Sequence, residues 1–287
     1  MDRGKYSYLL MTLPALLLFF VFHTSPALQG VFYSFTNWRG FGDWNFVGLR
    51  NYINVFRDSR ALDAYLFTFK FAVVSTIIVN TLSLTVALGL NASIRFKNFF
   101  RALYFFPNIL SILIIGFIFN YIFGKILPPI AQGLGIEALS RNILGNPDTA
   151  WIGVSLVAVW QASAFNTIIY LAGLQTIPEE LYEASVIDGA GKWKKFWHIT
   201  FPLIAPFFTI NIVLAMKGFL QAFGLILSLT GGGPGRATET ISIIIYRGGF
   251  QGGEFAYQSA NAVIYLIFLV TISLLQIRFL QKREIQS

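Results

Sequence analysis

Cysteine is absent from these 287 residues, so neither a disulfide nor a thiolate metal site is open to the chain. Histidine occurs twice, at His23 and His198, in unrelated stretches, which argues against a His-based metal or acid/base site. Charge is scarce. Only 12% of residues are charged, against roughly 25% in an ordinary soluble domain. That leaves too little polar surface to keep a compact globule in water. Acids are fewer than bases, 13 against 21, and the long apolar runs hold almost none, so no proton relay is visible. A nucleotide site is missing as well. Gly189-Ala190-Gly191-Lys192 lacks the spacing and following hydroxyl of a phosphate-binding loop, and Gly231-Gly232-Gly233-Pro234-Gly235 lacks the lysine. The chain by itself therefore shows no means of hydrolysing ATP, and a membrane-embedded enzyme is disfavoured.

What is present is apolar. Hydrophobic residues make up 55% of the chain, and several runs exceed the roughly 18 to 20 residues that cross a hydrocarbon core as a helix. The alternation of an outer-membrane barrel is missing, so the pattern predicts an all-α, polytopic membrane protein forming one domain over 1–287. Six spans are expected at about 8–35, 66–91, 102–123, 150–174, 203–229 and 255–279. The basic start and Ser25-Pro26-Ala27 mimic a signal peptide, but the later spans favour an uncleaved first span. Pro128-Pro129 and Asn146-Pro147-Asp148 place a loop over 124–149. The piece 241–253 is too short and too interrupted to span and is expected to pack partway into the bundle.

Lysine and arginine set the orientation. One side would carry Arg3, Lys5, Arg95, Lys97, Arg101, Lys192, Lys194, Lys195, Arg278, Lys282 and Arg283 on short loops. The other would carry Arg39, Arg50, Arg57, Arg60, Lys125, Arg141, Arg236 and Arg247 on longer ones. Density near the span ends predicts that both termini and residues 175–199 are cytoplasmic. The net charge of +8 then has a topological cause, and no nucleic-acid partner is expected.

The spans carry amides and hydroxyls: Asn80 and Ser83, then Asn108, Ser111 and Asn120, then Gln161, Ser163 and Asn166, then Asn211 and Gln221. Hydrogen bonding between helices is one reading. The other is a path for an uncharged, hydroxyl-rich solute, which amides and flat aromatic faces would bind. Trp160, Gln161, Phe165 and Asn166 offer both kinds of group, and so do Phe219, Gln221, Ala222 and Phe223. Lys217 is costly in lipid, so it must face protein or water, either an anionic group or a partner subunit.

One polar, two-signed stretch, 175–206, lies between two apolar runs. Pro178 opens a helix, Glu179, Glu180 and Glu183 suit its first turns, and Gly189-Ala190-Gly191 breaks it. A basic second half with Lys192, Lys194 and Lys195 follows. It reads either as a surface helix lying on the membrane or as a docking element whose small residues admit another protein.

Here a resemblance enters. Glu183-Ala184-Ser185, Asp188-Gly189-Ala190, Phe196, Ile199, Pro202 and Pro206 resemble the EAA loop of ABC importer permease subunits. Gly173-Leu174-Gln175, Pro178 and Thr230-Gly231-Gly232-Gly233-Pro234 fit its carbohydrate branch, and the likeness covers essentially the whole chain. Ser185 stands where the family has alanine. The resemblance implies a type I importer permease fold in the cytoplasmic (inner) membrane of a bacterium or archaeon, and a second permease subunit, a different chain. It also implies two ATPase subunits that hold the ATP and magnesium, leaving no cofactor in this chain, and an extracytoplasmic solute-binding protein. It implies that Glu179, Glu180, Tyr182, Glu183, Ala184, Ser185, Asp188, Gly189, Ala190 and Gly191 form a coupling helix docked on the ATPase. Alignment with maltose-type relatives implies sugar contacts at Gln161, Ala162, Phe165, Gly218, Phe219 and Ala222. The alternatives are an importer of an anionic solute, such as glycerol phosphate or a uronic-acid oligosaccharide, and a channel or scaffold that needs no such loop.

Overall fold

The structure is a computed structural model that describes residues 3–92 and 95–281. The ends of the expected basic tail, Lys282 and Arg283 included, lie outside the described residues. Among the described residues there is no strand, only an isolated bridge between Thr36 and Phe46. The helices used below are α1 (Met11–Tyr33), α2 (Arg50–Val55), α3 (Ser59–Asn91), α4 (Lys97–Phe105), α5 (Ile112–Gly133) and α6 (Pro147–Gln175). They continue with α7 (Glu179–Ile187), α8 (Lys192–Leu203), α9 (Ala205–Leu220), α10 (Gly224–Leu229), α11 (Ile241–Phe250) and α12 (Phe255–Gln281). Five of them are long and apolar enough to cross a membrane, and α8 with α9 makes a sixth if that bent pair is one span.

Side-chain caps set several boundaries that hydropathy misses. The second span is expected from 66, but α3 starts at Ser59, because Asp58 Oδ1 accepts from the Arg60 N–H at 2.9 Å. The Asn146-Pro147-Asp148 turn signal is the N-cap of α6: Asn146 Oδ1 accepts from the Asp148 N–H at 2.9 Å, with proline in the first turn.

Two expected spans are corrected. The third, read over 102–123, is instead α5, some ten residues further on. Leu110 and Ser111 are extended and divide it from α4. Pro128-Pro129 do not end α5, because a π-turn at Ile122–Ile126 precedes them. The same pairing recurs at Phe20–Thr24 before Pro26 and at Phe196–Thr200 before Pro202. A wider i→i+5 turn moves the carbonyls that a proline ring would strike, so the helix passes through.

The fifth span, read as one run over 203–229, is bent by 68° at Ile204 and stops at Leu220 before restarting as α10. Irregular backbone at membrane depth survives only where protein or a cavity satisfies it. Here Thr240 Oγ1 donates to Ala222 O at 3.2 Å, and Gln221 N–H donates to Lys217 O. At Gly224 an added Cβ would lie 3.0 Å from Ile112 Cγ2, so α5 approaches where no side chain intervenes.

The chain gathers into two compact units, residues 1–62 with 244–267 and residues 63–243 with 268–287. In the first, Asn51 Nδ2 donates to Ser34 O and Thr36 O, tying α2 to the loop after α1. Trp38 stacks on Tyr33 at 4.1 Å, and Tyr257 Oη donates to Asp58 Oδ2. In the second, Val154, Val157, Phe71, Ile115, Ile226 and Leu229 pack one core, and Tyr170, Leu174 and Ile204 a smaller one. Helix-to-helix hydrogen bonds absorb several membrane amides: Tyr170 Oη donates to Asn80 Oδ1 at 2.7 Å, and Asn120 Nδ2 to Leu229 O at 2.7 Å. Lys70 lies over the Trp151 ring, 4.7 Å from its centre.

Candidate functional site

The break between α9 and α10 opens a cavity of 490 Å³, a size that suits a small organic ligand. Helix α6 supplies Gln161, Ala162, Phe165 and Asn166, which recur at helical spacing on one side. Helix α9 supplies Gly218 and Phe219, the break itself Gln221 and Ala222, and the turn before α5 Asn108. Nine of the twelve positions named from the sequence for a solute path are thus brought together.

The other three are elsewhere. Trp160 turns its ring toward Phe119, 5.2 Å away, and packs on the core, because one residue shifts a helical side chain to the next face. Ser111 precedes the first turn of α5. Lys217 is exposed in the last turn of α9, where its charge complements the helix end, and it is not part of the cavity wall. Phe223, named from the sequence beside Gln221, lines the cavity too, and so do Leu214 and Gly224. Leu214 and Gly224 carry no polar group to mark them; a glycine inside an apolar run was the available signal.

The wall chemistry is mixed. Asn108, Gln161 and Gln221 each present an amide that both donates and accepts, and Phe165 exposes much of its ring. Asn166 is 4% exposed and donates through Nδ2 to Ala162 O, while its Oδ1 has no partner. Its backbone oxygen accepts from Asn211 Nδ2 at 3.2 Å, which fixes α9 against α6.

The second site is α7. Pro178 sits just before it, and Glu179 and Glu180 fill its first turn with their carboxylates exposed. Its end is a Schellman motif: Ala190 N–H donates to Ser185 O, Gly189 N–H to Val186 O, and Gly189 has φ +71°. Tyr182 Oη shares a hydrogen bond of 2.9 Å with Thr200 Oγ1, and the ring packs on the smaller core. Ser185 is buried, and its hydroxyl donates to Tyr182 O. These two of the ten positions face inward and hold α7 in place, so they are not themselves a docking surface. Glu183, Ala184, Asp188, Gly189 and Gly191 are exposed, and Ala190 is half-buried. Ile187 at 88% exposure and Val186 at 62% stand outward beside them. Both fall inside the segment 179–191 expected to dock, although the sequence did not single them out among its polar and small residues.

A multi-pass helical membrane protein with a broken helix that opens a cavity is the class that the geometry defines. Comparison then places the chain. It belongs to the family described as binding-protein-dependent transport system inner membrane component, whose model matches residues 79–286. Members of that family are transport components. The chain is 36% identical over 279 residues to the probable starch degradation products transport system permease protein AmyD of Thermoanaerobacterium thermosulfurigenes, covering 97% of this chain and 95% of that one. It is 37% identical over 281 residues to the multiple sugar-binding transport system permease protein MsmF of Streptococcus mutans, covering 98% and 96%. It is 31% identical to the sn-glycerol-3-phosphate transport system permease protein UgpA of Agrobacterium fabrum, covering 96% and 94%. Its fold is that of a chain in a bacterial ABC transporter involved in import of the acidic polysaccharide alginate, with a TM-score of 0.83 at 22% identity over 97% of this chain and 96% of that one.

Proposed function

We propose that this chain is one permease subunit of an ATP-driven importer of a sugar or oligosaccharide. A second, different permease chain completes the path, two ATPase subunits bind below, and an extracytoplasmic solute-binding protein delivers the solute. Both termini and α7 lie in the cytoplasm, and residues 1–287 act as one transmembrane domain. The cavity at the helix break is the solute path: its amides hydrogen-bond hydroxyls while Phe165 offers a flat apolar face. Helix α7 is the coupling element, with Glu183 and Asp188 facing basic groups of the ATPase.

The observation that carries the sugar reading is the convergence of Asn108, Gln161 and Gln221 with Phe165 around one cavity that contains no charged side chain. The amides suit a neutral polyol better than a phosphate. Gln161→Ala in the reconstituted importer is expected to raise the half-saturation concentration for uptake about tenfold, the cost of one good hydrogen bond to a neutral ligand. ATPase stimulation by the loaded binding protein should persist. An unchanged uptake curve would assign Gln161 to helix packing instead.

A further inference from the structure

We infer that a cleft at Arg101 is a binding site for an anionic phospholipid of the cytoplasmic leaflet. This rests on the proposed orientation but not on the solute. The chain leaves α3 and enters α4 through Arg95, Phe96 and Lys97, with no acid between Asn91 and Phe105. Lys97 and Arg101 cap α3. Lys97 Nζ donates to Asn91 O at 3.2 Å, and Arg101 Nη2 donates to Leu90 O at 3.4 Å. The cap uses one edge of the guanidinium. Arg101 Nε is buried and has no partner.

The Arg101 side chain also lines a cavity of 260 Å³ whose walls are largely apolar, among them Phe105, Ile168 and Leu171. The hydroxyls in the wall are already committed: Tyr104 Oη donates to Ser163 Oγ at 2.8 Å, and Thr167 Oγ1 donates to Ser83 O. A buried guanidinium N–H without an acceptor is costly, and a tetrahedral phosphate oxygen pair is the acceptor that its fork geometry fits.

The surroundings select a lipid over a free ion. Helix α4 turns Phe99, Phe100 and Leu103 outward, all well exposed, beside Arg95 and Lys97. This is the arrangement of a helix lying at the membrane interface. Ile168 and Ala172 leave one side of the cleft open, so an acyl chain can lie along α6 while the phosphate meets Arg101. Basic clefts between membrane helices on the cytoplasmic side recruit anionic headgroups.

The test uses the assembled importer in mixed detergent and lipid. Native mass spectrometry counts retained phosphatidylglycerol and phosphatidylcholine for the wild type, Arg101→Gln and Lys97→Gln. The wild type should retain phosphatidylglycerol preferentially, and Arg101→Gln should lose about fivefold of it, the effect of one basic contact near the surface. Lys97→Gln removes a comparable cap without touching the cleft and should retain most of it, which separates lipid loss from damage to α3. Equal retention of both lipids by the wild type, or full retention by Arg101→Gln, overturns the site. Displacement of the lipid by inorganic phosphate alone would assign the pocket to a free anion. A carboxylate of the second permease crosslinked to this cleft would assign it to subunit assembly. Either result also overturns the lipid.

Discussion

Ile187 offers the sharpest test of α7 as a docking element. It is 88% exposed at the end of a nine-residue helix, so nothing in this chain depends on it. Ile187→Asp should therefore alter the permease's own stability by no more than about 0.5 kcal/mol. If the ATPase covers this residue, the wild-type complex gains about 1.5–3 kcal/mol from burying the side chain. A carboxylate there forfeits that gain and adds its own desolvation cost. A loss of about 2–3 kcal/mol corresponds to roughly thirtyfold to 150-fold in affinity. The assay is titration of the ATPase onto the permease pair in nanodiscs, with ATP hydrolysis stimulated by the loaded binding protein as a second readout. Ile187→Ala should fall between the two, because it removes apolar area without adding charge. An Ile187→Asp affinity within about threefold of wild type, which is under 1 kcal/mol, would refute the reasoning and leave α7 as a surface helix.

Gly189→Trp should leave the subunits assembled but uncouple hydrolysis from uptake, since a Cβ there meets nothing within 4 Å in this chain and would project into the partner. The φ of +71° adds about 1 kcal/mol of strain for an ordinary side chain; Gly189→Asn tolerates that conformation and is the control, so normal uptake by the tryptophan variant would sink the docking role. Gly173→Ala places a Cβ 2.6 Å from the Phe207 ring and should destabilise the purified protein by about 1–3 kcal/mol through overpacking, read as a lower Tm in detergent. An unchanged Tm would mean that α6 and the start of α9 are not held in close contact.

Much of the architecture was legible because it is an additive property. Transfer free energy summed over some twenty residues finds membrane helices whatever their neighbours do, and the charge asymmetry of loops proposes an orientation in the same additive way. The loop between α6 and α8 was legible for another reason: Gly189 and the acidic first turn are local signals that a short helix needs to start and stop. The same additive sums misplace the third span and hide the break in the fifth, since hydropathy does not register whether Leu110 or Gln221 is helical. Proline misleads in the opposite direction, because three π-turns carry Pro26, Pro128 and Pro202 through helical segments.

By itself, then, the sequence determined a helical membrane protein with six apolar runs and a charged loop built as a short capped helix. Only the tertiary structure decided which side chains meet. Asn108 and Gln221 lie over a hundred residues apart, yet they line one cavity because α5 approaches the backbone at Gly224 and Thr240 Oγ1 satisfies Ala222 O at the break. Which face of α7 turns outward was likewise a long-range matter. The hydrogen bond from Tyr182 to Thr200, eighteen residues on, turns Ser185 in and leaves Ile187 out. A nine-residue helix with apolar groups on both faces carries no internal signal strong enough to choose between them.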